Sequence, residues 1–353
     1  MGSDRPQPGR PTDAERPAPP ERRDRAGGDD LLLLAEVSQR YYLDDMTQEQ
    51  IARGMGVSRS NVSRMLKEAR ERGVVEIRVH HPLRTLAEPG ERLRRLLGLR
   101  DCLVLARPAG DPAPATAEQL GALAARYLQE QVANGTTIGV GWGTTVYHVV
   151  TSGYLHPKRG TAVVQLMGSV GGATPDIDGA QIAGRLGRTL DAPVYYLHAP
   201  MVVTDAAVRA GLMRDQHIRT TLEMARRAGA LLVSVGAVTR ASGIYRAGYL
   251  NDADLEYIQG QGAVGDICGS YFKQDGSPCS LELGERTIAA SADVMRGVPL
   301  RVGVGWGEPK ALPSLGAIRA GLINVLITDE EAARELLRLL DREAVVRPAA
   351  GAA

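Results

Sequence analysis

Two glycine turns of nearly identical sequence carry the residues best suited to chemistry in this 353-residue chain. The first, IGVGWGTT at 138–145, passes from a short apolar run through Gly141 and Gly143 into two hydroxyls, Thr144 and Thr145. The second, VGVGWGEPK at 302–310, repeats the device with Gly305 and Gly307 and ends on Lys310. Glycine lets a backbone come close to a ligand, and the open N–H groups at a helix start favour an anion. Threonine hydroxyls add donors, and a lysine supplies a point charge suited to phosphate. Only four of the 42 basic residues are lysines: Lys67, Lys158, Lys273 and Lys310. A single glycine turn is more often a packing turn. Two in one domain, one followed by a rare lysine, favour an anion site. GSVGG at 168–172 follows a third apolar run in the same way. Further on, GAVGDICGSYFKQDG at 262–276 reads as a strand run interrupted by Asp266. A carboxylate in apolar surroundings needs a partner. A backbone N–H or a ligand hydroxyl would serve, and the sequence leaves both open.

A second constellation lies at residues 47–72. Thr47 and Gln50 have the spacing of a capping box, which satisfies the first free N–H groups of a helix. Residues 54–56 break that helix, and Ser58 is a second N-cap. Beyond it, Val62, Met65, Leu66 and Ala69 fall on one face at helical spacing. The other side presents Arg59, Ser60, Asn61, Ser63, Arg64 and Lys67. Plain helical hairpins share this pattern, but their solvated faces are rich in Glu–Lys pairs. Here the first acid is Glu68, after three cations. This is the helix-turn-helix plan, whose second helix lies in the major groove of DNA.

The elements that must position these residues follow a regular order. Residues 1–30 are rich in Pro, Arg and Asp with little to bury, and are expected as a disordered tail. A helix-turn-helix domain with a wing at 74–81 is expected over 31–81. A helical linker at 82–99 follows, with Leu83, Leu86, Leu93, Leu96 and Leu97 available for packing or self-association. From 100 to 345, short β-rich runs at 102–105, 137–140, 163–167, 194–197, 231–235, 301–304 and 324–328 alternate with helical stretches. Buried strands alternating with helices make a parallel, Rossmann-like α/β sheet covered on both faces. In such sheets ligands bind beyond the carboxyl ends of the strands.

Composition narrows the function. A net charge of +1 excludes a general polycation surface, so contact with nucleic acid must be local. Cys102, Cys268 and Cys279 show no metal or CxxC spacing and fit free thiols in a reducing compartment. No apolar run is long enough to span a membrane, there is no apolar signal core, and the cytoplasm is expected. No metal, cofactor or catalytic residue is assigned. The six histidines have no acid–base or metal spacing.

The combination of TQEQIARGMGVSRSNVSRMLKEARERGVVEI with GVGWGTT, GAVGDICGSYF, the turn before Lys310 and INVLITDEEAARELL resembles the SorC family of sugar-responsive bacterial transcriptional regulators. The resemblance covers nearly all of residues 31–340. It implies an effector domain similar in fold to sugar-phosphate isomerases and glucosamine-phosphate deaminases, a phosphorylated sugar as effector, operator DNA as partner, and assembly into homodimers or homotetramers. By motif, Gly141, Gly143, Thr144 and Thr145 match the family's phosphate-cradling loop, and Lys310 matches the lysine after the last glycine turn. Gln165 and Asp266 match positions near the sugar. Trp306 between Gly305 and Gly307 departs from the plainer small-residue pair implied there. The fold kinship raises a rival reading, a sugar-phosphate isomerase or deaminase fused to a DNA-binding head. That chemistry needs a placed general acid and base, and no such pair stands out.

Overall fold

Local signals build the first of the two units, Met1–His80 and His81–Ala353, into which the chain divides. The computed structural model describes residues 23–75, 83–106, 113–171 and 177–346. Helix α1 (Arg23–Tyr42) is followed by α2 (Gln48–Met55) and α3 (Arg59–Glu71). Thr47 and Gln50 form the capping box: the Gln50 N–H donates to the Thr47 hydroxyl at 3.3 Å, and the Thr47 N–H donates to Gln50 Oε1 at 2.8 Å. Gly56, with φ of 67° in the left-handed region, ends α2 as only glycine does cheaply. Ser58 then caps α3 by accepting from the Asn61 N–H at 3.2 Å. Val37, Ile51, Ala52, Val62 and Leu66 close over one another as the core of this unit. Each large aliphatic among them contributes about 1.5–3 kcal/mol by burial. Helix α1 starts inside the stretch expected as a tail. Of the expected wing, only Val74 and Val75 fall among the described residues.

In the second unit a seven-stranded sheet forms from β1 (Asp101–Leu105), β2 (Thr137–Val140), β3 (Ala162–Gln165), β4 (Val194–Tyr195), β5 (Ala230–Ser234), β9 (Leu300–Val304) and β10 (Val325–Asp329). A small antiparallel sheet, β6 (Gly236–Ala237), β7 (Ala263–Ile267) and β8 (Ser270–Lys273), is inserted after β5. The large sheet has the order β1-β10-β9-β5-β2-β3-β4 with every pair parallel. All seven expected strand positions are occupied, and the α/β architecture read from the sequence is the one observed. Side chains alternate between two cores. Ala230 and Leu232 join Ile138, Val140 and Val302 on one face. Leu231 and Val233 join Leu166, Leu315 and Leu326 on the other. Strands progress outward from the β2–β5 pair in both directions, so the carboxyl ends of β2 and β5 flank the topological switch point where such sheets bind ligands.

Two expectations are refined here. Residues 83–99 hold the helix expected, and its leucines serve packing rather than standing free. Helix α4 (Ala87–Leu97) buries Leu93 completely, and the Leu86 N–H donates to Val104 O at 2.8 Å. A Cβ at Gly90 would sit 2.7 Å from Cys102 O, so the helix lies directly on β1. Of the five leucines expected to serve packing or self-association, Leu93 is buried, Leu83, Leu86 and Leu97 are half-buried, and Leu96, 55% exposed, remains open. Asp266 does not interrupt its strand: it lies inside β7, and the chain turns instead at Cys268 and Gly269, both at positive φ.

Candidate functional site

On α3 the buried side is Val62, Leu66 and Ala69. Arg59, Ser60, Ser63, Arg64 and Lys67 are exposed and Asn61 is half-buried. The Ser58 and Ser60 hydroxyls lie 2.9 Å apart, and the Arg64 guanidinium donates to Asn61 Oδ1. Lys67 Nζ is 3.6 Å from Glu71. The outward face near the helix start thus offers hydroxyls, an amide and a guanidinium, the groups that meet base edges, while Lys67 further along suits phosphate.

The two glycine turns of the second unit differ in wiring. After β2, Gly143 has φ of 111° and stands at the N-cap of helix Thr144–Thr151 without any side-chain cap. The first N–H groups of a helix have no acceptor within it. The Gly141 and Gly143 N–H groups are engaged, donating to Leu232 O at 2.9 Å and to Ile177 O at 3.3 Å, so the donors that no side chain caps lie beyond them, beside an exposed Thr144 and a buried Thr145. After β9 the position is already filled. The Gly307 N–H donates to Asp329 Oδ1 at 2.9 Å, and the same oxygen takes the Ala332 N–H at 3.1 Å. Gly305 donates to Ile327 O at 3.2 Å and accepts from the Thr328 hydroxyl at 2.7 Å. The backbones of Gly305 and Gly307, expected among the effector contacts, are engaged within the fold. What this turn offers is Lys310. The third turn, after β3, is filled too: Asp178 Oδ2 accepts from Val170 at 2.6 Å, and Oδ1 accepts from Ala180 at 2.9 Å.

Three consecutive residues after β5 connect the pieces. A Cβ on Gly143 would lie 3.8 Å from Ser234 Oγ. Val235 O accepts from Lys310 Nζ at 2.7 Å. Gly236 pairs with Asp266 across β6 and β7. Gly143, more than a hundred residues before Asp266 and Lys310 in sequence, thus flanks the same segment, Ser234–Gly236, as they do. Asp266 accepts from the Gly269 N–H at 3.1 Å. Its surroundings enclose it enough that burial raises its carboxyl pKa, while the Gly269 N–H and Lys310 act the other way. Burial likewise lowers the Lys310 amine, Asp266 opposes this, and the charge of Arg246 adds to it. The Cys268 thiol lies near Gly141 and is pushed up to about 12 by burial, so it is an unreactive wall. Trp142 lies against Gly243, where a Cβ would be 3.0 Å from the ring. Trp142 and Trp306 are both half-buried against the sheet core.

Gln165 is a structural tie. Its Nε2 donates to Met167 O at 2.7 Å, its Oε1 accepts from the Leu197 N–H at 3.1 Å, and it is 1% exposed. The expected contact with sugar is corrected accordingly: the amide fastens β3 to the segment after β4. Sequence reading also missed Ser234, Val235, Gly236 and Arg246. The first three end an ordinary apolar strand, and Arg246 is one arginine among many. Among the described residues no group of His, Cys, Asp and Glu is placed to hold a metal, and no helix is long and apolar enough to cross a membrane.

A helix-turn-helix unit followed by a seven-stranded parallel α/β unit is the architecture of a two-part transcriptional regulator. Residues 81–338 match the family described as "Putative sugar-binding domain", and residues 30–90 match the Crp-like helix-turn-helix domain. The chain belongs to the SorC family of bacterial transcriptional regulators. It is 34% identical over 307 residues to the deoxyribonucleoside regulator of Bacillus subtilis (strain 168), covering 86% of this chain and 97% of that one. To the sorbitol operon regulator of Klebsiella pneumoniae it is 26% identical, covering 88% and 99%. The crystal structure of the full-length Klebsiella regulator superposes with a TM-score of 0.66 over 88% of this chain and 99% of that one. These relatives are regulators, and the enzyme reading is set aside: the chain is a DNA-binding transcriptional regulator with a sugar-binding domain.

Proposed function

We propose that this regulator binds operator DNA through α3 and that a phosphorylated sugar, held at the switch point of its second unit, controls that binding. The observation that carries the reading is the uncapped start of helix Thr144–Thr151 beside the β5 loop that anchors Lys310. The phosphate sits at that helix start, receives the first N–H groups and the Thr144 hydroxyl, and is neutralised by Lys310, with Arg246 nearby. Asp266, on the opposite flank of the same loop, accepts from a sugar hydroxyl. Relatives named for deoxyribonucleosides and for sorbitol suit one scaffold reading different carbohydrate signals.

One helix-turn-helix reads one half-site, so the protein acts as a homodimer or homotetramer on an inverted repeat in the cytoplasm. A thermal-shift screen of sugar phosphates against the parent sugars tests the reading, because a ligand of the folded state raises the melting temperature by mass action. Stabilisation by at least one phosphate ester and not by its parent sugar is expected. A free sugar acting as strongly as its phosphate would refute the anion site.

A further inference from the structure

Gly236 has no positive φ, so its backbone conformation is open to any residue. What excludes a side chain there is space. A Cβ would fall 1.9 Å from Asp266 Oδ1 and 2.9 Å from Asp266 Cγ. The carboxylate of Asp266 thus occupies the volume that a side chain at position 236 would need. It lies against the Cα of Gly236, and the carbonyl of Val235, in the peptide that leads into that Cα, accepts from Lys310 Nζ at 2.7 Å. One peptide unit therefore fixes both charged groups of the site, the amine by a hydrogen bond and the carboxylate by contact. The rest of the arrangement is rigid. A Cβ on Gly265 would meet Gly236 O at 2.6 Å and Pro313 at 2.9 Å, so β7 lies hard against β6 and against helix Ala311–Arg319, which begins next to Lys310. With both neighbours fixed, the only group at Gly236 free to yield is the Asp266 side chain.

We infer that Gly236 is a positioning residue for effector recognition, acting through Asp266 to set where the sugar is read relative to the phosphate. The inference rests on the sugar-phosphate reading of the site. Any side chain at 236 drives the carboxylate off the peptide, while the start of helix Thr144–Thr151, on the other side of Ser234, is untouched. The phosphate is still bound, but the sugar is no longer distinguished.

Two measurements on the full-length chain test this. The first is a double-mutant cycle in ligand-free protein, with Gly236→Ala, Asp266→Ala and the pair compared by melting temperature. Gly236→Ala alone is expected to lower it by several degrees. In the Asp266→Ala background the same change should cost little, because only Asp266 O, 3.1 Å from the new Cβ, then has to give by a few tenths of an ångström. An undiminished loss in that background would overturn the inference, since Gly236 would then matter for β6 pairing alone.

The second is calorimetry with inorganic phosphate and with a panel of pentose and hexose phosphates. In the wild type a sugar phosphate should bind more tightly than inorganic phosphate. In Gly236→Ala that preference should shrink roughly tenfold while inorganic phosphate binds nearly as before, an amount equivalent to one lost hydrogen bond to a charged group. A preference that survives Gly236→Ala overturns the positioning role. A wild type that binds neither phosphate nor any sugar phosphate overturns the underlying reading instead, and the two failures are told apart by the wild-type titration.

Discussion

GVGWG occurs twice in the second unit, at 139–143 and at 303–307, and the two copies do different work. After β2 the turn ends in a helix with no side-chain cap. After β9 the Gly307 N–H is already held by the buried carboxylate of Asp329. In the proposed function the first turn cradles an anion, through the helix start that follows Gly143. The second holds one of the chain's own and positions Lys310 beside it. A repeated motif fixes a backbone path. Whether that path binds depends on a residue arriving from elsewhere, here Asp329, 22 positions beyond Gly307.

Several variants would break or sharpen that contrast. Lys310→Ala should have the largest effect, weakening sugar-phosphate binding about tenfold to a hundredfold by loss of a charge-assisted contact. Operator binding by unliganded protein should survive, because the reader is a separate unit. Calorimetry and gel-shift titration measure the two effects side by side, and a normal effector response would remove Lys310 from the site. Arg64→Ala provides the reciprocal case. Operator affinity should fall by about 1–3 kcal/mol with the fold intact, the usual worth of a base contact, and the effector titration should not change.

Asp329→Ala tests the second turn itself. Two buried N–H groups lose their acceptor, so urea unfolding should show a loss of about 2–4 kcal/mol. Effector affinity of the folded protein should stay within roughly threefold of wild type. A collapse in affinity as deep as that of Lys310→Ala would mean that both turns carry the ligand.

The pH dependence is subtler. Burial raises the Asp266 carboxyl, so its contribution to stability is present below its unfolded pKa and is lost as pH rises through the folded value. Wild type should therefore lose stability relative to Asp266→Asn as the pH rises from the ordinary carboxylate range through the raised value. A constant difference would show that the carboxylate is as well solvated folded as unfolded. The smallest expected effect is optical. Trp142 and Trp306 are both half-buried, one in each glycine turn, so if only the first turn carries the ligand Trp142→Phe should remove more of the ligand-induced fluorescence change than Trp306→Phe.

The reader was legible because everything that defines it is local: a capping box spanning Thr47–Gln50, a cap at Ser58 and an apolar face at helical spacing. The sheet was legible because strands buried on both faces read as continuous apolar runs, as in LLVS at 231–234. Legibility ended where a partner comes from far away. Helix α4 has the look of an exposed amphipathic linker until β1 and the C-terminal helix cover its apolar side. Gln165 looks like a ligand contact until the Met167 carbonyl and the Leu197 N–H take both ends of its amide. Ser234, Val235 and Gly236 carry no motif at all, and their role exists only because β5 lies between β2 and β9 in the sheet.

Amide hydrogen exchange on the full-length protein, with and without a sugar phosphate that raises its melting temperature, tests the contrast between the two turns most directly. Bound ligand should protect the backbone N–H groups of residues 144–146 and leave those of Gly305 and Gly307, already hydrogen-bonded to Ile327 and Asp329, unchanged. Protection appearing at Gly305 and Gly307 with none at 144–146 would contradict it.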